Sequence, residues 1–444
     1  MNTIQTVVLY IFLFVGIYFQ TFILGTYFIN RRKIRARTKI HDSLEHTHEY
    51  PSVTIIVPCY NEEKTVGKTI ESLLALEYPV GKLYISAVDD GSQDNTWNVI
   101  QRYQKQYPTI VTAHRKENGG KYTALNFAIA HATTDIVGCL DADSFVEANA
   151  LKKMIPYFED WKTPIGTRQH MTVAVTPAMK IYRPQTLAQA LQRVEYLIGI
   201  FIRKVQALIS AIYVTPGPFS LFRRDLFSHV GFFRHAHNTE DMEMAFRIQS
   251  KNLHIENAHE ATVYTTGPAT FKKLYAQRVR WTSGFLLNLR DYHWILLRPR
   301  YGNMALFTAP LGLALIFGAV ISIAFLIYRF GVTLWHWYLR FHTIGFSFSP
   351  WHWNWFFIST PAYLVLTLLI YILMIGMVVE AHALARERSR FSVSVLLYFL
   401  IFPLIAPLWL LVSVYNALRS RTPSWQRERA VHVTARTRTP TARS

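Results

Sequence analysis

Residues 139–145 read CLDADSF, an apolar run ending in two carboxylates with one alanine between them. The run behind it, 135–140, is short and apolar enough for a buried strand. The seven residues alone also suit a plain turn, because Asp is common where strands stop. The preceding sequence decides between them. VTIIV (53–57) reads as a buried strand, and 62–76 as a helix with Val66, Ile70, Leu73 and Leu74 on one face. LYISAV (83–88) is the next strand, and 96–107 the next helix. A strand near 110–113, a helix over 122–131 and the strand 135–140 complete the series. This βαβαβαβ order predicts an α/β fold, a parallel sheet with helices on both faces. Ligands in such sheets bind at the carboxyl ends of the strands. PCYNEE (58–63), DDGSQD (89–94) and DADS (141–144) all fall there, and no internal repeat interrupts them.

In an extended segment residues i and i+2 share a face, so Asp141 and Asp143 are expected to aim at one point. Two hard oxygen ligands suit Mg2+ or Mn2+, which are held by one or two carboxylates plus substrate phosphates. A zinc site would want His or Cys at close spacing. A nucleotide diphosphate therefore fits the pair. Asp89 and Asp90 either cap the turn that follows or, in the case of Asp90, bind a nucleoside.

Of the 444 residues, 51% are hydrophobic and 14% aromatic. Four apolar stretches, 6–29, 304–328, 356–379 and 391–415, are long enough to cross a bilayer, which takes about 20 residues. The first lacks the basic lead and small-residue cleavage site of a signal peptide. An integral membrane protein is expected. The net charge of +19 would suit nucleic acid, but its placement argues for topology instead. Arg31, Arg32, Lys33, Arg35 and Arg37 follow the first span and mark that side as cytosolic, and Arg386, Arg388 and Arg390 flank another span alike. Cys59 and Cys139 alone supply no disulfide framework.

Farther on, HNTEDMEMAF (237–246) places Thr239 as a helix cap with Glu240 and Asp241 in the first turn, where the helix dipole favours them. YAQRVRW (275–281) sets Gln277, Arg280 and Trp281 at i, i+3 and i+4, one helical face. The segment 282–300 looks like a separate amphipathic helix at the membrane interface. Trp335, Trp337, Trp351, Trp353 and Trp355 crowd the stretch between the second and third spans as an aromatic belt would.

VDDGS (88–92), DAD (141–143), TED (239–241) and QRVRW (277–281), in this order beside membrane spans, resemble the membrane-integrated family 2 glycosyltransferases that polymerise sugars. The resemblance covers roughly 50–300 and the flanking spans. It implies a GT-A (Rossmann-like) cytosolic catalytic domain combined with transmembrane helices. Tyr60, Glu62, Asp90, Lys121 and Asp141 would bind a UDP-sugar donor, and Asp143 with Asp141 would ligate Mg2+ or Mn2+. Asp241 would be the general base. Glu240, Gln277, Arg280 and Trp281 would hold the diphosphate and the acceptor sugar.

The expected organisation is an N-terminal transmembrane helix (1–30), a catalytic domain (50–270), acceptor-motif and interfacial helices (271–300), membrane segments (301–415) and a basic tail (416–444). The pattern is most similar to poly-N-acetylglucosamine, hyaluronan and chitooligosaccharide synthases. VTPGPFSLFRRDLF (214–227) stands where such enzymes have a Gly-containing loop before an Arg pair. A single span ahead of the catalytic domain, with no cyclic-nucleotide module after it, departs from the cellulose synthases. The implied activity is β-linked polymer synthesis from UDP-N-acetylglucosamine at the plasma membrane. Partners would be the donor, the growing chain, the bilayer and an accessory membrane subunit, with no nucleic acid. The competing reading is transfer of one sugar to a polyprenyl phosphate, whose enzymes usually lack the Gln-x-x-Arg-Trp motif. The arginine-rich tail (416–444) is at odds with three further crossings, and a re-entrant hairpin at Pro403 and Pro407 would return it to the cytosol.

Overall fold

The computed structural model describes residues 3–43, 49–158, 161–167, 171–345, 362–387 and 393–421. A long helix, α1 (Thr3–Ser43), leads into β1 (Val53–Cys59), α2 (Val66–Leu74), β2 (Leu83–Asp89), α3 (Thr96–Gln106), β3 (Val111–Arg115), α4 (Lys121–His131) and β4 (Ile136–Cys139). β5 (Ser144–Val146), α5 (Ala150–Met154), β6 (Thr172–Ile181) and α6 (Leu187–Leu208) follow. β7 (Ser220–Arg223), α7 (Leu226–Val230), α8 (Glu240–Ser250), β8 (His254–Thr265) and α9 (Phe271–Asp291) complete the sheet domain. The chain ends in α10 (Ala309–Ile344), α11 (Ala362–Leu384) and α12 (Val393–Leu418).

The eight strands form one sheet in the order β3-β2-β1-β4-β7-β6-β8-β5. The first four are parallel, as the alternation of strand and helix predicts. Beyond β4 the sheet turns mixed, with β7 antiparallel to both β4 and β6. β1 and β2 are buried along most of their length because helices cover both faces. One core packs Ile55, Ile70, Leu73 and Ile100 beneath α2 and α3. The other packs Ile56, Val88, Leu125 and Ile129 beneath α4. Strand order reverses at β1, with β2 on one side and β4 on the other, so their following loops part and leave a crevice.

Four helices are long and apolar enough to cross a membrane, so this is a membrane protein. They are continuous with the domain rather than tethered to it. Ile23 and Tyr27 of α1, Phe201 of α6, and Met377 and Ala381 of α11 share one buried cluster. Arg31 of α1 pairs with Glu380 of α11 at 3.5 Å.

Three expectations are corrected. Residues 282–291 form no separate interfacial helix. They complete α9, and 283–289 are buried in the domain. Trp335 and Trp337 lie exposed on α10 rather than in a loop, while Trp351, Trp353 and Trp355 lie outside the described residues. α12 runs unbroken through Pro403 and Pro407, a helix interior that neighbouring helices make tolerable. Its end nevertheless returns to the sheet domain, because Ser413 donates to the Val279 carbonyl at 3.3 Å and Arg290 to Ser420 at 2.7 Å. Arg419 and Arg421 therefore leave beside the sheet domain without a hairpin, and the tail beyond 421 is outside the described residues.

Candidate active site

The crevice at the strand ends is laced together by backbone and side-chain bonds between the loops after β1 and β2. Asn61 N–H donates to Ser92 Oγ at 2.9 Å, Gln93 N–H to Asn61 Oδ1 at 2.8 Å, and Glu62 N–H to Thr96 Oγ1 at 2.8 Å. Glu62 also accepts from Thr65 Oγ1 at 2.7 Å. Tyr60 and Glu62 thus lie on a loop fixed from within. Asn61, at φ 54, takes a left-handed conformation that Asn tolerates better than most residues.

Asp90 is buried and its carboxylate is occupied. It accepts from Lys116 Nζ at 2.6 Å and from the backbone N–H groups of Gly119 and Gly120 at 3.1 and 2.8 Å. These bonds fix the turn that starts α4, and Gly120 at φ 89 enters the helix from a conformation natural to glycine. Lys121, the first residue of α4, then reaches across the crevice. Its ammonium pairs with Asp141 at 2.6 Å and Glu240 at 3.5 Å. Burial opposes that charge, but Asp141 and Glu240 outweigh it and raise the pKa. A lysine legible as a helix start is here the bridge between two acidic motifs.

Asp141 and Asp143 converge by a turn, not by strand alternation. Ser144 N–H donates to the Asp141 carbonyl at 2.9 Å, the i to i+3 bond of a β-turn, so the extended segment expected here is corrected. Asp143 is exposed as a residue, yet its carboxyl lies in a concave crevice. That desolvation, followed by the charges of Asp141 and Glu62, pushes it up to about 6. Gly217, in the segment that leads into β7, closes over the same spot. A Cβ there would lie 2.5 Å from Lys121 Nζ and 3.0 Å from both Asp141 oxygens.

Glu240 and Asp241 open α8, but Thr239 does not cap it through its side chain. Thr239 is tied to α9 instead, accepting from Asn288 Nδ2 at 2.8 Å while Arg280 donates to the Asn238 carbonyl at 2.9 Å. Gly284 permits the contact, since a Cβ there would meet Thr239 at 2.4 Å. We expect Gly284→Ala to lower stability by ~1–3 kcal/mol through overpacking, despite the better helix propensity of alanine. Thermal unfolding of the detergent-solubilised protein checks the sign. Burial, followed by the Glu240 charge, pushes the Asp241 carboxyl up to about 6, with Lys121 and Arg280 opposing.

Gln277, Arg280 and Trp281 are all half-buried on α9. The residue that the spacing passes over is Arg278. It is buried, donates to Gln277 Oε1 at 2.8 Å, pairs with Glu195 of α6, and stands 4.4 Å over the Trp281 ring. Its presence in QRVRW is visible in the sequence, but its partner Glu195 lies 83 positions away.

The crevice therefore gathers a fixed polar loop and a lysine between carboxylates, and α9 carries an aromatic ring beside a guanidinium. Residues 54–231 match the family model described as Glycosyl transferase family 2. A poly-β-1,6-N-acetyl-D-glucosamine synthase of Staphylococcus aureus (strain COL) is 31% identical over 299 residues, 67% of this chain and 68% of that one. The chain belongs to the family 2 glycosyltransferases. A synthase of the same name from Staphylococcus epidermidis is 32% identical over 243 residues, 54% of this chain and 56% of the other. A mannosyltransferase from Pyrobaculum calidifontis, solved with GDP-Man and Mn2+, is similar at a TM-score of 0.48 and 19% identity, covering 85% of this chain and 99% of that one. This glycosyltransferase thus combines a GT-A domain with helices apolar enough to cross a membrane. The family match ends at 231, ahead of Thr239. Beyond that match, Glu240 of α8 reaches Lys121 and Arg280 of α9 reaches the Asn238 carbonyl.

Proposed function

We propose that this glycosyltransferase polymerises a β-linked polysaccharide from UDP-N-acetylglucosamine at the cytosolic face of the plasma membrane and passes the product across. The carrying observation is the joint between α8 and α9. Thr239, Gly284 and Asn288 hold Asp241 against the helix that bears Trp281, and α12 docks on that same helix through Ser413. The likeness to poly-β-1,6-N-acetyl-D-glucosamine synthases supports the sugar and the polymer.

In this reading the acceptor sugar stacks on Trp281, whose flat ring holds it without directional bonds and lets it advance by one unit. Asp241 takes the proton of the acceptor hydroxyl as that oxygen attacks the anomeric carbon. The bond to the diphosphate breaks, and UDP departs with the electron pair toward Lys121 and Arg280. Inversion gives the β linkage.

Among the described residues no three His, Cys, Asp or Glu side chains cluster as a complete metal cage. The two carboxylates on one turn fit a Mg2+ or Mn2+ held by Asp143, with Asp141 beside it, and otherwise by substrate phosphates. Asp143 is the freer ligand, since Lys121 already pairs with Asp141. When bound, the ion neutralises charge on the leaving diphosphate. Chelation is expected to abolish transfer, and added Mg2+ or Mn2+ to restore it. Activity indifferent to chelator removes Asp143 from this role.

The test of the whole reading is a transfer assay of membranes with a panel of radiolabelled UDP-sugars, followed by product sizing. Long products from UDP-N-acetylglucosamine are expected, and Trp281→Ala should lose polymer while still binding UDP. Release of only a monoglycosylated lipid would replace this reading with the lipid-carrier one.

A further inference from the structure

A second cavity, of about 640 Å3, lies where α11 ends against the sheet domain. Its walls carry four cations, Lys180, Arg183, Arg193 and Arg386, against two carboxylates, Glu147 and Glu387. Several of these groups fasten the end of α11 in place. Lys180 Nζ donates to the Ala385 carbonyl at 2.9 Å, and Arg193 pairs with Glu387 at 2.9 Å. Glu147 accepts from the Tyr264 hydroxyl at 3.0 Å.

Arg183 and Arg386 are different. Both are exposed, and among the described residues neither makes an ion pair. Each is held in left-handed backbone, at φ 35 and φ 49, a conformation costly for non-glycine residues that gathers at ligand clamps. The Arg183 guanidinium stands over the Tyr182 ring, 5.1 Å from its centroid.

We propose that this cavity binds the phosphate of an anionic phospholipid headgroup. The position sets the ligand. Arg386 follows Leu384, the last residue of an apolar span, by two positions, which is headgroup depth for a helix that ends at the hydrocarbon edge. The lining carries two more cations than carboxylates, and a basic pocket at such a boundary attracts anionic lipid. Guanidinium forks match phosphate oxygens in pairs. The wall tyrosines Tyr182, Tyr196 and Tyr264 suit a boundary that is apolar on one side and wet on the other. A zwitterionic headgroup would bring its own cation against these arginines.

Occupancy has a route to the reaction. Tyr196 of α6 lines the cavity, and the residue before it, Glu195, pairs with Arg278 of α9. One helix therefore links the cavity to the ion pair beside Trp281. The proposal rests on α11 crossing a bilayer and not on the sugar or the product.

The test uses the full chain reconstituted in nanodiscs of phosphatidylcholine with a minor share of phosphatidylglycerol, then exchanged into neutral detergent. Wild type is expected to retain phosphatidylglycerol over phosphatidylcholine, and Arg183→Ala/Arg386→Ala to bind it roughly thirtyfold more weakly, from the usual worth of two basic residues at an anionic surface. UDP binding, unchanged in the double variant, shows that it is folded. A second arm titrates inorganic phosphate in phosphatidylcholine discs. Phosphate that binds wild type and displaces the retained lipid at millimolar concentration would assign the cavity to a soluble phosphate. No enrichment of phosphatidylglycerol, or equal retention by the variant, overturns the proposal.

Discussion

Asp241→Asn is expected to lower turnover by about 10²–10⁴-fold, the usual worth of a general base, with UDP binding retained. The substitution keeps the shape of the side chain. It also keeps an oxygen to accept from Met242 N–H, the 2.9 Å bond that orients Asp241 at the start of α8. The loss would therefore report chemistry rather than folding. The pH profile supplies a second check. Burial and Glu240 push the Asp241 carboxyl up to about 6, and a base works only when ionised. Transfer should rise with pH through that value and fall away below it as the carboxyl protonates. Glu240→Gln removes the largest charge opposing ionisation, so the same limb should move to lower pH. A purified Asp241→Asn enzyme with near-normal turnover ends the assignment.

Arg278→Ala should destabilise the protein by about 3 kcal/mol, the lower end for breaking a buried pair. The lower end applies because Glu195, left behind, keeps 28% of its side chain exposed and can be partly solvated. The effect on product should exceed the effect on fold. Arg278 contacts Gln277 on one side and Trp281 on the other, so its removal releases two residues proposed to hold the acceptor. Unfolding of the single variants and of Arg278→Ala/Glu195→Gln, as a double-mutant cycle, measures the pair. Product sizing on the same proteins reads the positioning. Unchanged chain length in a folded Arg278→Ala enzyme would leave Arg278 a purely structural residue.

The parallel half of the sheet was legible because its signal is local. Runs such as VTIIV and LYISAV are buried on both faces and bounded by polar turns, so hydrophobic pattern and length together mark strands. β1 and β2 match those runs within a residue or two. The membrane helices were legible for the same reason, since hydropathy over a window sums local preferences. The mixed half was not. β5, β7 and β8 are placed by pairing partners far along the chain, and β8 reaches both β6 and β5, a choice no local pattern encodes.

The site divides along the same line. Sequence by itself located the candidate residues: the carboxylates at strand ends, the acidic start of α8, and the stretch of α9 that bears Gln277, Arg280 and Trp281. It also determined that these stand beside apolar spans. Only the tertiary structure decided what each of them meets. It joined Lys121 to Asp141 and Glu240, closed Asp90 beneath Gly119 and Gly120, and turned Thr239 from a cap into a tie to Asn288. It also put Arg278 between Glu195 and Trp281. The physical reason is range. Periodicity and capping act within a few residues, whereas an ion pair or a glycine contact depends on atoms that packing brings together across a hundred positions, and no spacing in the chain records that packing.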